Sequence, residues 1–344
     1  MAVSHDLSPD RDRGSPHPAV SEVRTAVRRF LAAHRNGDAV AVACSGGADS
    51  LALVAATVHC AGRLGLAVHG LVVDHQLQPD SQAVAQAAAQ TLRRLGCAAV
   101  RVLPITVEGT GGPEAAARRA RYAALRAASP VGALVLLGHT LDDQAETVLL
   151  GLGRGSGPRS VAGMRELDPP WGRPLLGVRR AVTAAACDAL GLKPWVDPHN
   201  ADPRFRRVRL RTEALPLLED VLAGGVAEAL ARTAGQLQED LDLLDGQAGA
   251  LFASARHDAA LDVAALVPAP AALRRRVLRR WLLNAGVAEL TDAHLRAADD
   301  LVGRWSGQGA VRLPGDVELF RAHGRLHLSS GPRHPWRGPR GVFG

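Results

Sequence analysis

Two short stretches of this chain carry residue types that could do chemistry together. The first, Ser45-Gly46-Gly47-Ala48-Asp49-Ser50, ends the apolar run 39–44 and leads into LALVAATVHC. A strand, a glycine turn and a helix start make an anion site, because backbone N–H groups face inward and the helix dipole adds partial positive charge. Gly46 and Gly47 allow close backbone approach to a phosphate, Ser45 and Ser50 add hydroxyl donors, and Asp49 can help hold a magnesium ion. The second stretch, Gly138-His139-Thr140-Leu141-Asp142-Asp143-Gln144-Ala145-Glu146-Thr147, follows the apolar run 133–137. His139, Asp142, Asp143, Glu146 and Thr147 recur at near-helical spacing, so several project from one side of a helix start. Acids in a first helical turn favour the dipole in any protein. Facing a phosphate loop, they also suit a magnesium ion or an amine.

The elements that must position these residues follow from periodicity. A helix over 21–33 precedes the first strand, and 66–73 and 98–103 read as further strands, separated by a helix from 80 to 95. A helix over 113–127 and a fourth strand at 133–137 complete the alternation, which implies right-handed crossovers and an α/β, doubly wound parallel sheet. Both chemical stretches then sit beyond the carboxyl ends of strands, where such sheets bind ligands. The Gly-rich segment 151–163 is expected to be a mobile loop, 182–190 a short helix, 194–196 a strand and 197–200 a turn. From Pro216 the texture is helical, with helices over 217–251 (broken at Gly224-Gly225) and 273–282, and short strands at 310–313, 317–320 and 325–328. The expected organisation is a flexible tail over 1–20, a catalytic domain over 21–215, a second, mainly helical domain over 216–330, and a flexible tail over 331–344.

Composition narrows the class. A chain of 344 residues can bury two domain cores, and no uncharged apolar run approaches the roughly 18 residues of a membrane span. Four scattered cysteines without a C-x-x-C suggest neither a zinc nor an iron–sulfur site, and a cytoplasmic location. A net charge of +7, carried by arginine since Lys193 is the sole lysine, suggests a polyanionic partner. That sole lysine also excludes a Walker A loop, and G-x-G-x-x-G is missing.

The loop at 45–50 resembles the pyrophosphate loop of the N-type ATP pyrophosphatases, or PP-loop enzymes. His139 to Thr147, Arg154-Gly155-Ser156-Gly157 running to Ala162-Gly163-Met164, Arg173-Pro174-Leu175-Leu176, Val73-Asp74-His75-Gln76-Leu77 with Ser81, and Ala117 to Tyr122 sharpen this. Together they resemble the tRNA(Ile)-lysidine synthetase family, in order, over 39–218. The resemblance implies a ligase that joins free L-lysine to C2 of the wobble cytidine of a CAU-anticodon isoleucine tRNA, consuming ATP with Mg2+. It implies that Ser45, Gly46, Gly47, Ala48, Asp49 and Ser50 hold the pyrophosphate with Asp49 assisting the metal. It further implies that Arg118, Asp143 and Glu146 form the lysine pocket and that His139 lies close to the reacting phosphate. Whether Asp143 or Glu146 accepts a proton or only orients the amine stays open. Ser160, His199 and Val208 depart from the family pattern of glycine, Ser or Thr, and asparagine, respectively.

Arginine clusters supply candidate RNA contacts. Arg207, Arg209 and Arg211 alternate with Val208 and Leu210, giving one basic and one apolar side suited to phosphates. In the second domain Leu273, Val277, Leu278, Trp281 and Leu282 form one helical face, and Arg275, Arg276, Arg279 and Arg280 the other. Arg275 and Arg279 are the chosen tRNA contacts. No membrane partner is expected, and a homodimer is left open.

Overall fold

A computed structural model describes residues 15–76, 80–106, 113–155, 157–197 and 202–330. The described chain divides into two compact units at Gly235–Gln236. In the first, helix α1 (Pro18–His34) leads into β1 (Ala39–Cys44), α2 (Ala48–Gly62), β2 (Ala67–Asp74), α3 (Ser81–Leu95), β3 (Ala99–Pro104), α4 (Pro113–Ala128) and β4 (Val135–Leu136). Then come α5 (Leu141–Arg154), α6 (Pro158–Val161), β5 (Leu167–Asp168), β6 (Trp171–Gly172), α7 (Arg180–Ala189), α8 (Arg206–Arg209), a π-type turn (Leu210–Ala214) and α9 (Leu215–Val221). Helix α10 (Val226–Ala255) carries the division between units.

The sheet order is β3-β2-β1-β4-β6-β5, parallel throughout except for the antiparallel edge strand β5. β1 is central and its run AVAVAC is buried from Val40 to Cys44, as expected of a parallel strand covered on both faces. One face carries α1, α2, α3 and α7, whose Val27, Phe30, Leu51, Leu53, Leu92, Ala186 and Cys187 pack with Val40 and Val42. The other carries α4, through Leu125 and Ala128 against Ala41, Leu71 and Val135. Because Leu53 is fully enclosed, its truncation to alanine costs about 2–5 kcal/mol. β2 lies on one side of β1 and β4 on the other, so the sheet reverses direction between β1 and β4 and leaves its ligand crevice beyond their carboxyl ends.

The second unit holds the antiparallel sheet β7-β8-β11-β10-β9, from β7 (Arg256–His257), β8 (Ala260–Asp262), β9 (Val311–Leu313), β10 (Val317–Ala322) and β11 (Arg325–Ser330). Helices α11 (Val263–Leu266), α12 (Ala271–Asn284) and α13 (Asp292–Gly303) cover it, with Phe252, Leu261, Val277, Leu278, Trp281, Leu282, Leu301, Leu319 and Leu326 in the core. The short strands expected at 310–313, 317–320 and 325–328 are β9, β10 and β11, and β7 and β8 extend their sheet.

Several expectations are corrected. The N-terminal tail ends earlier than residue 20, since α1 begins at Pro18 with His17 Nδ1 accepting from the Ala19 N–H. Residues 151–163 are not one loop: α5 runs through Arg154, α6 packs on it, and Ser160 donates to the Gly151 carbonyl at 2.9 Å. The segment 194–196 is extended but joins no sheet among the described residues, and its Trp195 N–H donates to Gly46 O at 2.9 Å. The turn expected at 197–200 and the C-terminal tail fall outside the described residues, Asp197 excepted.

Candidate active site

The phosphate loop is built as its sequence suggests. Gly46 has φ 85°, and Gly47 caps α2 without a side-chain bond, leaving the first N–H groups of that helix free for an anion. Ser50 is buried and organises the turn: its hydroxyl donates to Gly47 O at 2.9 Å and accepts from the Ser45 N–H at 3.2 Å. Ser45 is exposed, and Ala48 opens the helix. The end of β4 closes directly onto this loop. A Cβ added at Gly138 would lie 3.1 Å from Asp49 C and from the Ser50 N and Cα, so only glycine lets the two ligand-facing turns meet this closely.

Helix α5 presents the acids. Thr140 and Asp143 form a reciprocal capping box, with Asp143 Oδ2 accepting from Thr140 N–H at 2.8 Å and from its hydroxyl at 2.9 Å. One turn on, Glu146 is fully buried and paired with Arg211 at 2.8 Å, Arg180 at 3.6 Å and Arg207 at 3.7 Å. Gln144 is turned away and clamps the backbone of Met164 from both sides, at 2.8 and 2.7 Å.

A residue that periodicity did not single out joins these pieces. Arg180 opens α7 and its guanidinium reaches Asp143 Oδ1 at 2.7 Å, Asp49 Oδ2 at 3.4 Å and Glu146 Oε1 at 3.6 Å. Its N–H donates to Asp142 Oδ2 at 2.7 Å, so a carboxylate from α5 caps α7, whose own N-cap Arg179 offers no side-chain acceptor. Thr183, one turn further, donates to Asp49 Oδ1. The signal for this hub was present: two arginines at a helix start are opposed by the dipole unless acids face them.

Electrostatics follow from this packing. Burial pushes the Asp49 carboxyl above its ordinary value, against the Thr183 hydrogen bond and the Arg180 charge. Burial also opposes ionisation of Asp143, but Arg180 and the Thr140 bonds outweigh it and hold that carboxyl low. His139 is pushed down to about 3 by burial, against the Asp143 charge, with Arg121, Arg173 and Arg118 adding to the fall. It is neutral at pH 7, and its buried Nδ1 has no hydrogen-bond partner among the described residues. Arg118 is exposed and lies over the Tyr122 ring at 4.8 Å, on the His139 side of the crevice. Cys97 and Cys187 are pushed up by burial to about 12 and about 11, so both thiols are protonated at neutral pH.

The arginines divide into committed and available groups. Arg207 and Arg211 turn inward to Glu146, while Arg209 is exposed and pairs with Glu213 at 2.8 Å. In the second unit Arg274 pairs with Asp299 at 2.6 Å, Arg276 with Asp245 at 3.2 Å, and Arg280 lies over Phe252 at 5.7 Å. The single basic face expected on α12 is thus narrower, because Arg276 and Arg280 fold onto α10. Among the described residues Arg275 bonds only a carbonyl of its own helix, Ala271 O at 3.2 Å. Arg279, one turn on from Arg275, is half-buried.

Among the described residues no group of three or more His, Cys, Asp and Glu is arranged to hold a metal. The donor set instead fits a magnesium ion carried largely by nucleotide phosphates, which needs only one or two protein carboxylates, with Asp49 the one on the loop. No helix of the described chain is long and apolar enough to cross a membrane.

Residues 20–218 match the PP-loop domain family and 261–327 the TilS substrate binding domain family. A tRNA(Ile)-lysidine synthase of Rhodococcus jostii (strain RHA1) is 57% identical over 316 residues, covering 90% of this chain and 96% of its own. One of Nocardia farcinica (strain IFM 10152) is 58% identical over 322 residues, covering 92% and 100%. Among solved structures, the U34-tRNA thiolase NcsA from Methanococcus maripaludis superposes with a TM-score of 0.53 at 18% identity, covering 64% of this chain and 80% of that one, a likeness of fold.

Proposed function

The chain belongs to the tRNA(Ile)-lysidine synthase family, and from that premise we propose that it ligates free L-lysine to C2 of the wobble cytidine of a CAU-anticodon isoleucine tRNA. ATP is cleaved to AMP and pyrophosphate, and the modified anticodon reads AUA in place of AUG. The observation that carries the reading is the meeting of an anion loop and a carboxylate cluster at the sheet's reversal point, with Asp49 in the loop and Asp143 and Glu146 on α5. An adenylating ligase that takes an amine needs both halves side by side.

In the first step the cytidine C2 oxygen attacks the α-phosphate, and the N–H groups of 46–50 stabilise charge on the departing pyrophosphate. A magnesium ion held by the phosphates and Asp49 would supply further charge stabilisation there. His139, neutral and with a free ring nitrogen, contributes a hydrogen bond beside the reacting phosphate without adding charge. In the second step the ε-amine attacks the activated C2 and expels AMP. Asp143 and Glu146 hold the amine, one or the other taking up the proton it releases, and Arg118 pairs with the lysine carboxylate or the adenylate phosphate. Arg209, whose pair with Glu213 is exposed, and Arg275 and Arg279 contact tRNA phosphates, while Arg207 and Arg211 stay paired with Glu146. A tRNA substrate implies reaction in the cytoplasm.

Incubating the protein with ATP, lysine and the CAU-anticodon isoleucine tRNA, then separating the nucleosides, tests the reading. Lysidine with stoichiometric AMP and pyrophosphate is the expected result. ATP cleavage with an unmodified wobble cytidine would reject it.

A further inference from the structure

We propose that Arg180 is a resident cation of the amine pocket, released from Asp143 and Glu146 when ATP binds, so that lysine entry follows nucleotide entry. The proposal rests on the assignment of Asp143 and Glu146 to the lysine ammonium. The two carboxylates of the pocket are already paired: Asp143 meets Arg180 at 2.7 Å and Arg211 at 3.8 Å, and Glu146 meets Arg180, Arg207 and Arg211. A further cation gains little there unless one guanidinium withdraws. Asp143 makes the conflict specific, because Thr140 occupies its Oδ2 and Arg180 its Oδ1. An ammonium approaching Asp143 therefore competes with Arg180 for Oδ1 and meets its positive charge at hydrogen-bond distance.

Of these arginines, Arg180 alone also touches the phosphate loop, through Asp49 at 3.4 Å. ATP brings several negative charges to that loop, on the Asp49 side of the guanidinium, and draws it off the α5 carboxylates. Only the side chain has to move, since the Arg180 backbone is tied to Asp142 at 2.7 Å. Arg180 is thus a positioning residue for lysine, acting through the carboxylates it covers and uncovers.

Equilibrium dialysis with radiolabelled lysine tests this on the full chain, with and without an ATP analogue bridged by methylene between the α and β phosphates. For the unaltered protein the analogue is expected to tighten lysine binding about tenfold or more, the worth of one charge-assisted hydrogen bond. Arg180→Gln is expected to bind lysine tightly in both conditions, and Arg180→Lys, which keeps the charge but loses the fork, to retain part of the analogue's effect. A merely structural arginine would give the opposite sign, weaker lysine binding by Arg180→Gln in both conditions, and that result overturns the proposal. So does an unaltered protein whose lysine affinity ignores the analogue, a comparison that stands even if the variants do not fold. Absence of lysine binding in either condition by a preparation that makes lysidine also rejects it. A preparation that makes none rejects the proposed function instead.

Discussion

Replacing Glu146 by glutamine keeps the shape of a fully enclosed side chain of the site and removes only its charge. Glu146 is fully buried, and its pairing with Arg211 at 2.8 Å is the shortest of its three ion pairs. Breaking a fully buried pair costs about 3–5 kcal/mol, but the Arg211 and Arg207 side chains retain 31% and 39% exposure, so water can take over part of the solvation. An amide oxygen can still accept from Arg211, which brings the expected loss to about 2 kcal/mol, or roughly 4–8 °C in Tm for a unit of this size. For lysine the lost contact is a charge-assisted hydrogen bond worth about 1.5–3 kcal/mol, a rise in lysine KM of roughly 10- to 150-fold. The assay is transfer of labelled lysine to tRNA at saturating ATP, with tRNA affinity measured by filter binding. An unchanged lysine KM accompanied by weakened tRNA binding would refute the reasoning and move Glu146 to the RNA side of the site.

Asp49→Asn is expected to abolish pyrophosphate release while leaving tRNA affinity and the melting temperature nearly unchanged, and wild-type-like turnover would remove the loop carboxylate from the mechanism. Gly138→Ala places a methyl 3.1 Å from the backbone of Asp49 and Ser50, so it should cost about 1–3 kcal/mol in a urea melt and lower kcat/KM for ATP. Arg275→Gln with Arg279→Gln should reduce the slope of log affinity against log salt by about two, and an unaltered slope returns both arginines to an ordinary solvated surface. Stability should fall as pH drops from 6.5 toward 3, because there the unfolded chain protonates His139 and the native state, with its value near 3, does not. His139→Asn should flatten that dependence in urea titrations at successive pH values.

The alternating strands and helices of the first unit were legible because each has a strong period and lies close to its partner in the chain. The loop at 45–50 was legible because its chemistry is local. Arg180 and Thr183 were not, since their partner Asp49 lies 131 and 134 residues away and nothing in their neighbourhood marks them except the misplaced charge at a helix start. Trp195 misled for a related reason: an apolar residue in extended backbone resembles a strand, yet its N–H is used to hold Gly46 rather than to extend the sheet. In the second unit, β7 and β8 are two and three residues long, too short for any alternation to show. Helix α13 was not anticipated: its capping box, Thr291-Asp292-Ala293-His294, has histidine in place of the usual Glu or Gln. The pairing of Arg207 and Arg211 with Glu146 could not be read from charge patterning, which sees an arginine run and not the carboxylate facing it.

The order in which the ion pairs of Glu146 become available bears on synthesis of the protein. The sheet is complete once β6 has been made, and α7 delivers Arg180 soon afterwards, but Arg207 and Arg211 are more than twenty residues further along the chain. A nascent chain ending before them would hold a buried carboxylate with a single, distant guanidinium, a state that favours local opening around α5. The helix bearing the acids therefore gains its full set of ion pairs only after the segment at 206–214 has left the ribosome. A polypeptide truncated at residue 197 should accordingly keep the secondary structure of the sheet while α5 exchanges its amide hydrogens rapidly.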